Sequence, residues 1–480
     1  MTAAATVLWT AAEVAAATAG ECAGSWDVTG VSIDSRTVKA GDLFVALRGP
    51  TFDGHDYVAA AFAAGAAGAI VSAHPKAISA TLEHRLVRVK DTFIALQTLG
   101  AAARARSTAR IVAVTGSVGK TGTKDMLRTV LSAQGVTHAT GGNLNNHWGV
   151  PLSLARMPRG TRYGVFELGM NHPGEIAPLS RAVRPHVAIV TAVEAVHLEF
   201  FDSVDGIAAE KASIAAGLDA GGTIILPADN PHIDTLRREA VRHGAARIIT
   251  FGTDESADVR MVGYADGEIG QVVAEIGGER MTYDLGLRGR HWALNSLAAL
   301  AAVAALGADI GRAAGNLAHV SPGAGRGAKH DIDVAGGAAT LIDEAYNASP
   351  ASVRALADAL PAPVARTQGR RILVLGDMLE LGNDGPALHA GLAPHLIGAG
   401  VDLVFTCGPL MEHLHAALPR TVRGGHARDS AAIAPLVAAA LKAGDVVAVK
   451  GSHGSRMDKV VAALLARGRP AEPQRAANGG

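Results

Sequence analysis

Residues 111–127, IVAVTGSVGKTGTKDML, run from an apolar strand through a glycine-containing turn into a helix. In such a turn the glycines let backbone N–H groups converge on a phosphate, and the N-terminus of the following helix adds the positive end of its dipole. Lys120 can reach the β- and γ-phosphate oxygens of a triphosphate, and the Thr121 hydroxyl can bind Mg²⁺. The stretch therefore predicts a binding site for ATP. The residues of this phosphate-binding loop are Gly116, Ser117, Val118, Gly119, Lys120, Thr121 and Gly122.

The stretch departs from the general motif G-x-x-x-x-G-K-[ST] at one position, because Val114 occupies the place of the first glycine. An ordinary strand–helix turn that contains Gly-Lys-Thr by chance is the alternative interpretation. The position of the turn, directly between an apolar strand and a helix, favours phosphate binding.

Strand–helix alternation continues beyond the loop. Apolar strands such as VAIVTAV and GTIILPAD alternate with helical patterns such as TKDMLRTVLSAQ. Continuous apolar runs are typical of parallel strands that are buried on both faces, so this region predicts a doubly wound α/β domain. Residues 258–286 change to short alternating segments separated by Asp-Gly and Gly-Gly, which predicts antiparallel hairpins. A long helix follows over residues 291–306.

These changes of pattern predict three domains in an α/β protein. Residues 1–108 mix short strands and helices and form a smaller N-terminal α/β domain. Residues 109–325 carry the central parallel sheet of the P-loop ATPase type, and residues 326–480 resume β-α-β alternation in a Rossmann-like C-terminal domain. The Gly-rich segment SPGAGRGAKH at 321–330 marks the second boundary.

The composition argues against several classes of protein. Hydrophobic residues make up 49% of the 480, which is enough for sizeable cores. Lys plus Arg and Asp plus Glu number 44 each, so no overall field favours nucleic acid or an anionic membrane. The two cysteines are far apart, which argues against a disulfide scaffold. Residues 1–20 lack the pattern of a signal peptide, and no apolar run is long enough for a membrane helix. We therefore expect a cytoplasmic protein without membrane insertion.

Three further residues beyond the loop are candidates for the active site. Glu167 ends the strand YGVFELG, and His197 comes just after the strand VAIVTAV. Lys211 lies on the helical pattern SVDGIAAEKASIAAGL. A carboxylate and an imidazole near a phosphate-binding loop can complete the shell of Mg²⁺ together with ATP oxygens. Taken singly, however, a histidine after a strand is usually structural, and a lysine on an amphipathic helix is usually a solvated charge.

Together these segments resemble the Mur ligases, the ATP-dependent amide-forming enzymes of peptidoglycan precursor synthesis. TGSVGKT, ELGMNHPGEI, the His197 segment and AEKASI occur in the order of that family. The resemblance implies that Lys120 and Thr121 hold the triphosphate and a first Mg²⁺, with Glu167 as a metal ligand. It implies that His197 binds a second Mg²⁺. It also implies a carbamylated lysine at Lys211, whose N-carboxyl group offers oxygen ligands where a free ammonium would repel the ion.

The resemblance continues towards the end of the central region. In RGRHWALNSLAAL, Asn295 matches the asparagine that the family places near the adenine, and His291 lies one helical turn earlier. Gly122 is a departure, because many members of the family carry a second threonine there. It removes a possible hydroxyl contact with the nucleotide.

The third domain also carries matches. Arg326 in SPGAGRG matches an arginine that reaches the phosphates in the family. With the residues named above, the resemblance implies a catalytic set of Lys120, Lys211, His197 and Arg326. The segment IDEAYNASPASV at 342–353 resembles the family's third-domain sequence D-D-S-Y-N-A-N-P. A strand followed by an N-capped helix is the plain structural interpretation of the same segment. The implied nucleotide-binding residues there are Asp343, Tyr346 and Asn347.

Other segments bear on the substrate. GNLNNHWGVPLSL (142–154), LVLGDMLELG (373–382) and VKGSHGSRMDKVV (449–461) resemble the Mur ligase that joins D-alanyl-D-alanine to UDP-N-acetylmuramoyl-tripeptide. Amide side chains suit sugar and peptide recognition, although local hydrogen bonding also favours asparagine in turns. The N-terminal segment DSRTVKAGDLFVALRG resembles the domain that holds the UDP end, although a turn such as DSR also serves structure alone. The implied substrate-binding residues are Ser35, Arg36, Asn143, Asn145, Asn146 and His147.

The implied reaction is an ATP-dependent amide ligation through an acyl phosphate, with release of ADP and phosphate. It requires two Mg²⁺ ions, serves cell-wall biogenesis and thereby cell shape and division, and involves no nucleic acid; we expect a monomer. A related Mur ligase that adds diaminopimelate or lysine to UDP-N-acetylmuramoyl-dipeptide is one alternative, since it shares every nucleotide motif. A non-catalytic nucleotide-binding protein is another, against which the joint presence of Glu167, His197 and Lys211 argues.

Overall fold

The computed structural model describes residues 6–76, 78–195, 199–267, 269–323, 325–361 and 369–466. The chain divides into two compact units. The first takes its residues from 1–193 and 205–320, and the second from 194–204 and 321–480. His197 lies outside the described residues.

The first unit begins with a small α/β region. Four short strands form a parallel sheet in the order β3-β4-β5-β6, and a two-stranded antiparallel pair, β1 with β2, precedes it. The strands are β1 (Trp9–Thr10), β2 (Asp27–Val28), β3 (Gly30–Ser32), β4 (Asp42–Val45), β5 (Gly68–Val71) and β6 (Leu86–Arg88). The helices are α1 (Ala11–Thr18), α2 (Val58–Ala63) and α3 (Thr92–Ala105).

A nine-stranded sheet dominates the first unit, in the order β15-β14-β13-β12-β11-β10-β7-β9-β8. Its strands are β7 (Arg110–Thr115), β8 (Thr137–Ala139), β9 (Tyr163–Glu167), β10 (Val187–Val190), β11 (Thr223–Pro227), β12 (Arg247–Gly252), β13 (Val259–Ala265), β14 (Gly270–Ile276) and β15 (Glu279–Leu285). The helices of this region are α4 (Lys120–Ser132), α5 (Gly149–Ala155), α6 (Ile176–Val183), α7 (Val204–Ala212), α8 (Ile233–Arg242), α9 (Arg290–Ala305) and α10 (Ile310–Asn316).

The apolar strands are buried on both faces of this sheet. Val112 and Val114 of β7 join a core with α4, α9 and α10 on one face. Because side chains alternate along a strand, Ile111 and Ala113 point to the opposite face, and all four are fully buried. The predicted doubly wound, mostly parallel central sheet is therefore confirmed. In this sheet β9 and β8 lie on one side of β7, and β10 lies on the other. The strand order therefore reverses direction at β7, and the phosphate-binding loop follows this strand.

The expected hairpins are also confirmed. Strands β13, β14 and β15 pair antiparallel and extend the parallel part of the sheet. The predicted long helix is α9, which begins one residue earlier than expected and ends at Ala305. Its alanine-rich centre is fully buried, since small side chains let the helix backbone approach the sheet closely.

The second unit contains a six-stranded sheet in the order β16-β17-β21-β18-β19-β20, parallel except for the β16–β17 hairpin. Its strands are β16 (Ala328–Val334), β17 (Gly337–Glu344), β18 (Arg371–Gly376), β19 (Leu403–Cys407), β20 (Arg423–Ala427) and β21 (Val446–Lys450). Its helices are α11 (Pro350–Ala359), α12 (Gly385–Ala390), α13 (Ala393–Gly398), α14 (Met411–Ala417), α15 (Ser430–Ala440) and α16 (Asp458–Ala466). Within the described ranges, no helix combines the length and apolar character that a membrane span requires.

Candidate active site

The loop between β7 and α4 adopts a backbone conformation that requires glycine. Gly116 has a φ of +149° and Gly119 a φ of +85°. A Cβ atom at Gly116 would lie 1.9 Å from the hydroxyl oxygen of Thr191, just beyond β10. The loop thus lies tightly against the next strand end and presents backbone rather than side chains, as phosphate binding requires.

The departure at Val114 has a structural explanation. Val114 is a fully buried residue inside β7, where it pairs with Glu167 of β9 and Ile189 of β10. The strand therefore continues through the position at which the general motif has its first glycine. The turn is shorter here and begins at Gly116.

Lys120 lies over the loop. Its Nζ donates hydrogen bonds to the carbonyl oxygens of Gly116 at 2.6 Å and Ser117 at 3.2 Å. The N-cap of α4 is Gly119, which has no side chain to bind the amides of the first helical turn. The positive end of the helix and the ammonium group therefore meet at the place where a triphosphate would bind.

The structure brings Thr121 and Glu167 together. The Thr121 hydroxyl donates to Oε2 of Glu167 at 2.7 Å, and Nδ2 of Asn145 donates to Oε1 at 2.9 Å. Glu167 is the last residue of β9 and is 2% exposed. A hydroxyl and a carboxylate are the oxygen ligands that Mg²⁺ prefers, so these two side chains fit the predicted metal role. No cluster of three His, Cys, Asp or Glu side chains suited to a metal occurs in the described part of the chain.

Lys211 lies near the end of α7 and is only 1% exposed. Burial and the nearby charge of Lys120 hold the pKa of its amine well below the usual range. The neighbouring Glu210 accepts hydrogen bonds from the amides of Gly174 and Ile176, each at 2.9 Å. Glu210 therefore connects α7, which carries Lys211, to the segment at the start of α6.

Asn295, predicted to lie near the adenine, packs against Gly119 of the phosphate-binding loop. A Cβ atom at Gly119 would be 2.8 Å from Nδ2 of Asn295, which is itself 8% exposed. His291, one turn earlier on α9, is exposed. The predicted nucleotide-binding residues of the first unit therefore share one end of α4 and α9.

The departure at Gly122 is explained by a neighbour. A Cβ atom at Gly122 would lie 1.9 Å from the indole ring of Trp292. The tryptophan on α9 fills the space in which a threonine side chain would stand on α4. The two positions are complementary, so the glycine reflects packing between these helices.

We expect Gly122→Thr to destabilise the protein by about 1–3 kcal/mol, because overpacking forces neighbouring groups out of their positions. In a Trp292→Ala background the same substitution should cost much less, since the ring that it strikes is absent. Urea unfolding of the four proteins measures both costs. Equal costs in the two backgrounds would show that Trp292 is not the obstacle.

The predicted substrate residues around position 145 have different neighbours. Nδ2 of Asn145 donates to Glu167, whereas Oδ1 of Asn146 accepts from the amide of Gly149 at 2.9 Å at the start of α5. The His147 ring stands edge-on to Phe93, with ring centroids 5.7 Å apart. Asn143, Asn146 and His147 are exposed.

Ser35 and Arg36 lie on a single 3₁₀ turn after β3. The guanidinium group of Arg36 pairs with Asp34 at 2.6 Å, and its side chain is 87% exposed. This hydrogen-bonded pair lowers the pKa of the Asp34 carboxyl. Arg36 is therefore accessible to an anionic ligand, which would compete with Asp34 for it.

In the second unit, Arg326 and Tyr346 form a contact. The Arg326 guanidinium carbon lies 3.8 Å from the centre of the Tyr346 ring. Asp343 accepts from the amides of Gly325 at 2.9 Å and Ala345 at 3.2 Å and so orders the loop that carries Arg326. Oδ1 of Asn347 accepts from the next amide, that of Ala348, at 2.9 Å.

Two contributors, Glu210 and Trp292, were missed by reasoning from the sequence, and the contact that Asn145 makes was not foreseen. Glu210 directly precedes Lys211, but nothing in AEKASI indicates which distant amides its carboxylate binds. Trp292 is adjacent to the recognised His291, yet its contact with Gly122 depends on how two helices pack. Asn145 was assigned to the substrate, whereas its amide nitrogen is bonded to Glu167.

Comparison with protein-family models matches three successive parts of the chain. The Mur ligase family catalytic domain matches residues 27–107, the Mur ligase middle domain 114–303, and the Mur ligase glutamate ligase domain 332–453. The chain is 36% identical over 462 residues to the UDP-N-acetylmuramoyl-tripeptide–D-alanyl-D-alanine ligase of Escherichia coli (strain K12), covering 94% of this chain and 96% of that protein. It is 33% identical over 448 residues to the protein of the same name from Bacillus subtilis (strain 168), covering 91% and 93%.

Solved structures agree with these matches. The crystal structure of MurF from Acinetobacter baumannii superimposes with a TM-score of 0.81 at 30% identity, covering 95% of this chain and 99% of that one. MurF ligase from Thermotoga maritima in complex with ADP gives a TM-score of 0.73 at 29% identity, covering 91% and 97%. On the strength of these near full-length matches, the chain belongs to the Mur ligase family.

Proposed function

We propose that this protein joins D-alanyl-D-alanine to UDP-N-acetylmuramoyl-tripeptide at the expense of ATP, in the synthesis of peptidoglycan precursors. The observation that carries the proposal is the phosphate-binding loop with the Thr121 hydroxyl bonded to the buried Glu167. The choice of substrates rests on relatives named UDP-N-acetylmuramoyl-tripeptide–D-alanyl-D-alanine ligase, whose matches span nearly the whole chain. In this assignment residues 1–108 bind the UDP end, residues 109–325 bind ATP, and residues 326–480 form the ligase domain.

The nucleotide is bound by groups from two regions. The backbone of the loop and Nζ of Lys120 hold the phosphates. Asn295, which packs against Gly119 of the loop, is assigned to the adenine side. Arg326 neutralises phosphate charge, and its contact with Tyr346 presets the position of the guanidinium group. The remaining nucleotide-binding residues in this assignment are Asp343 and Asn347.

Thr121, Glu167, His197 and Lys211 are the proposed Mg²⁺ ligands, for two ions. Bound Mg²⁺ neutralises the charge that develops on the phosphate oxygens during transfer. The carbamate at Lys211 is supported by burial, because burial and the nearby charge of Lys120 lower the pKa of the amine and so favour its neutral form, which is the form that reacts with carbon dioxide. The resulting N-carboxylate presents oxygen atoms where the unmodified side chain presents none.

The chemistry proceeds in two steps. The terminal carboxylate of the tripeptide attacks the γ-phosphorus of ATP, the bond to the bridging oxygen breaks, and ADP leaves. The uncharged amine of D-alanyl-D-alanine then attacks the acyl carbon, phosphate leaves, and the amine proton passes to a base. Lys120 and Arg326 offset the negative charge in the first step. The substrate contacts are assigned to Ser35, Arg36, Asn143, Asn146 and His147.

An isotope experiment tests the acyl phosphate. The tripeptide substrate is labelled with ¹⁸O in its terminal carboxylate and incubated with enzyme, ATP, Mg²⁺ and D-alanyl-D-alanine. We expect one ¹⁸O atom per turnover in the released phosphate, since the carboxylate oxygen that attacks phosphorus leaves with it. Unlabelled phosphate alongside normal amide formation would rule out this intermediate.

A further inference from the structure

Both oxygens of the Glu167 carboxylate are held by side chains from other elements. Oε2 accepts from the Thr121 hydroxyl on α4, and Oε1 accepts from Nδ2 of Asn145 in the loop before α5. At 2% exposure the carboxylate has little access to solvent that could hold it in another orientation. Because each of the two oxygens accepts from a different donor, the carboxylate is held against rotation about the Cγ–Cδ bond of Glu167.

Asn145 is itself fixed by its backbone. Its carbonyl accepts from the amide of Gly169 at 2.8 Å, and its own amide donates to the carbonyl of Asn143 at 2.8 Å. A Cβ atom at Gly169 would lie 2.9 Å from Cγ and Oδ1 of Asn145. The side-chain amide therefore packs directly on the segment that follows Glu167, with Nδ2 directed at the carboxylate.

We propose that Asn145 is a positioning residue that orients Glu167 for metal binding. This role rests on the proposed function of the site. Each carboxylate oxygen can accept two hydrogen bonds or ligand bonds, so Asn145 occupies one position on Oε1 and leaves Oε2 beside the Thr121 hydroxyl. The two predicted metal ligands are thereby held together before the ion arrives. Outer partners of this kind commonly contribute about 10- to 100-fold to metal affinity.

This role differs from the substrate contact that the sequence predicts for Asn145. One of the two N–H groups of its amide already has an acceptor within the protein, so that donor is directed at Glu167 rather than at a substrate. A positioning role acts on the metal even when no UDP-linked substrate is present. A substrate contact, by contrast, acts only on the binding of that substrate.

Binding of Mn²⁺, measured by electron paramagnetic resonance in the presence of the non-hydrolysable ATP analogue AMP-PNP, separates the two roles. The proteins compared are the wild type, Asn145→Ala and the control Gln134→Ala. Gln134 lies just beyond the C-terminal end of α4. It provides a matched control because its side-chain amide also forms hydrogen bonds within the protein, to the backbone of Asp309. No UDP-linked substrate is added.

We expect Asn145→Ala to weaken Mn²⁺ binding by about 10- to 100-fold. Gln134→Ala should leave it unchanged. If Asn145→Ala binds Mn²⁺ as tightly as the wild type and only the KM for the UDP-linked substrate rises, the positioning role is wrong. If the wild type itself binds no Mn²⁺ with AMP-PNP, the proposed function fails and this role fails with it.

Discussion

Replacement of Lys120 by alanine is expected to lower ATP turnover by about 100- to 1,000-fold, the usual cost of losing one preorganised group that stabilises transition-state charge. Nζ of Lys120 lies over the loop, 2.6 Å from the Gly116 carbonyl oxygen, where it can meet the phosphates. Release of ADP under saturating substrates measures the loss.

The fold should survive the Lys120→Ala change, because buried apolar packing holds β7 and α4 in place. The change removes only the hydrogen bonds from Nζ to two loop carbonyl oxygens. Unfolding in urea checks this point. Lys90→Ala, which changes an exposed lysine in the same unit, is the control and should retain full turnover. Full turnover by Lys120→Ala as well would contradict the assignment of this loop as the phosphate-binding site.

Replacement of Lys211 is the second large effect. Both Lys211→Ala and Lys211→Arg should lose at least about 100-fold in turnover, because neither can carry the N-carboxyl group that stabilises charge through the metal. The arginine variant is the more informative of the two. It keeps a long basic side chain in a site that is only 1% exposed, but its guanidinium group does not form a carbamate.

The carbamate can also be observed directly. Wild-type protein equilibrated with ¹³C-labelled bicarbonate should show one carbamate signal by nuclear magnetic resonance, and Lys211→Arg should lack it. A wild-type spectrum without that signal, together with an active Lys211→Arg variant, would contradict the assignment of Lys211 as a ligand.

The parts of the fold that sequence reasoning predicted correctly have strong local signals. Strands β7 and β10 are continuous apolar runs because both faces of the sheet are covered. The hairpins of β13–β15 are marked by Asp-Gly and Gly-Gly. Glycines 116 and 119 are required by backbone angles, so they are visible in the sequence as well.

The missed features depend on tertiary contacts. The edge strand β8, with the sequence Thr-His-Ala, has no apolar run because it is only half-buried. The Gly122–Trp292 contact joins residues 170 positions apart, and the bond from Asn145 to Glu167 joins a loop to a strand end. A turn rich in asparagine looks the same in the sequence whether its amides bind a substrate or a buried carboxylate.

The central claim is that the chain couples ATP cleavage to the addition of D-alanyl-D-alanine. The most direct measurement is ADP release with two substrate pairs at equal ATP and Mg²⁺: UDP-N-acetylmuramoyl-tripeptide with D-alanyl-D-alanine, and UDP-N-acetylmuramoyl-dipeptide with diaminopimelate. We predict turnover with the first pair alone. Turnover with the second pair alone would keep the ATP chemistry but overturn the substrate assignment, and silence with both pairs would contradict the assignment of the chain as a ligase.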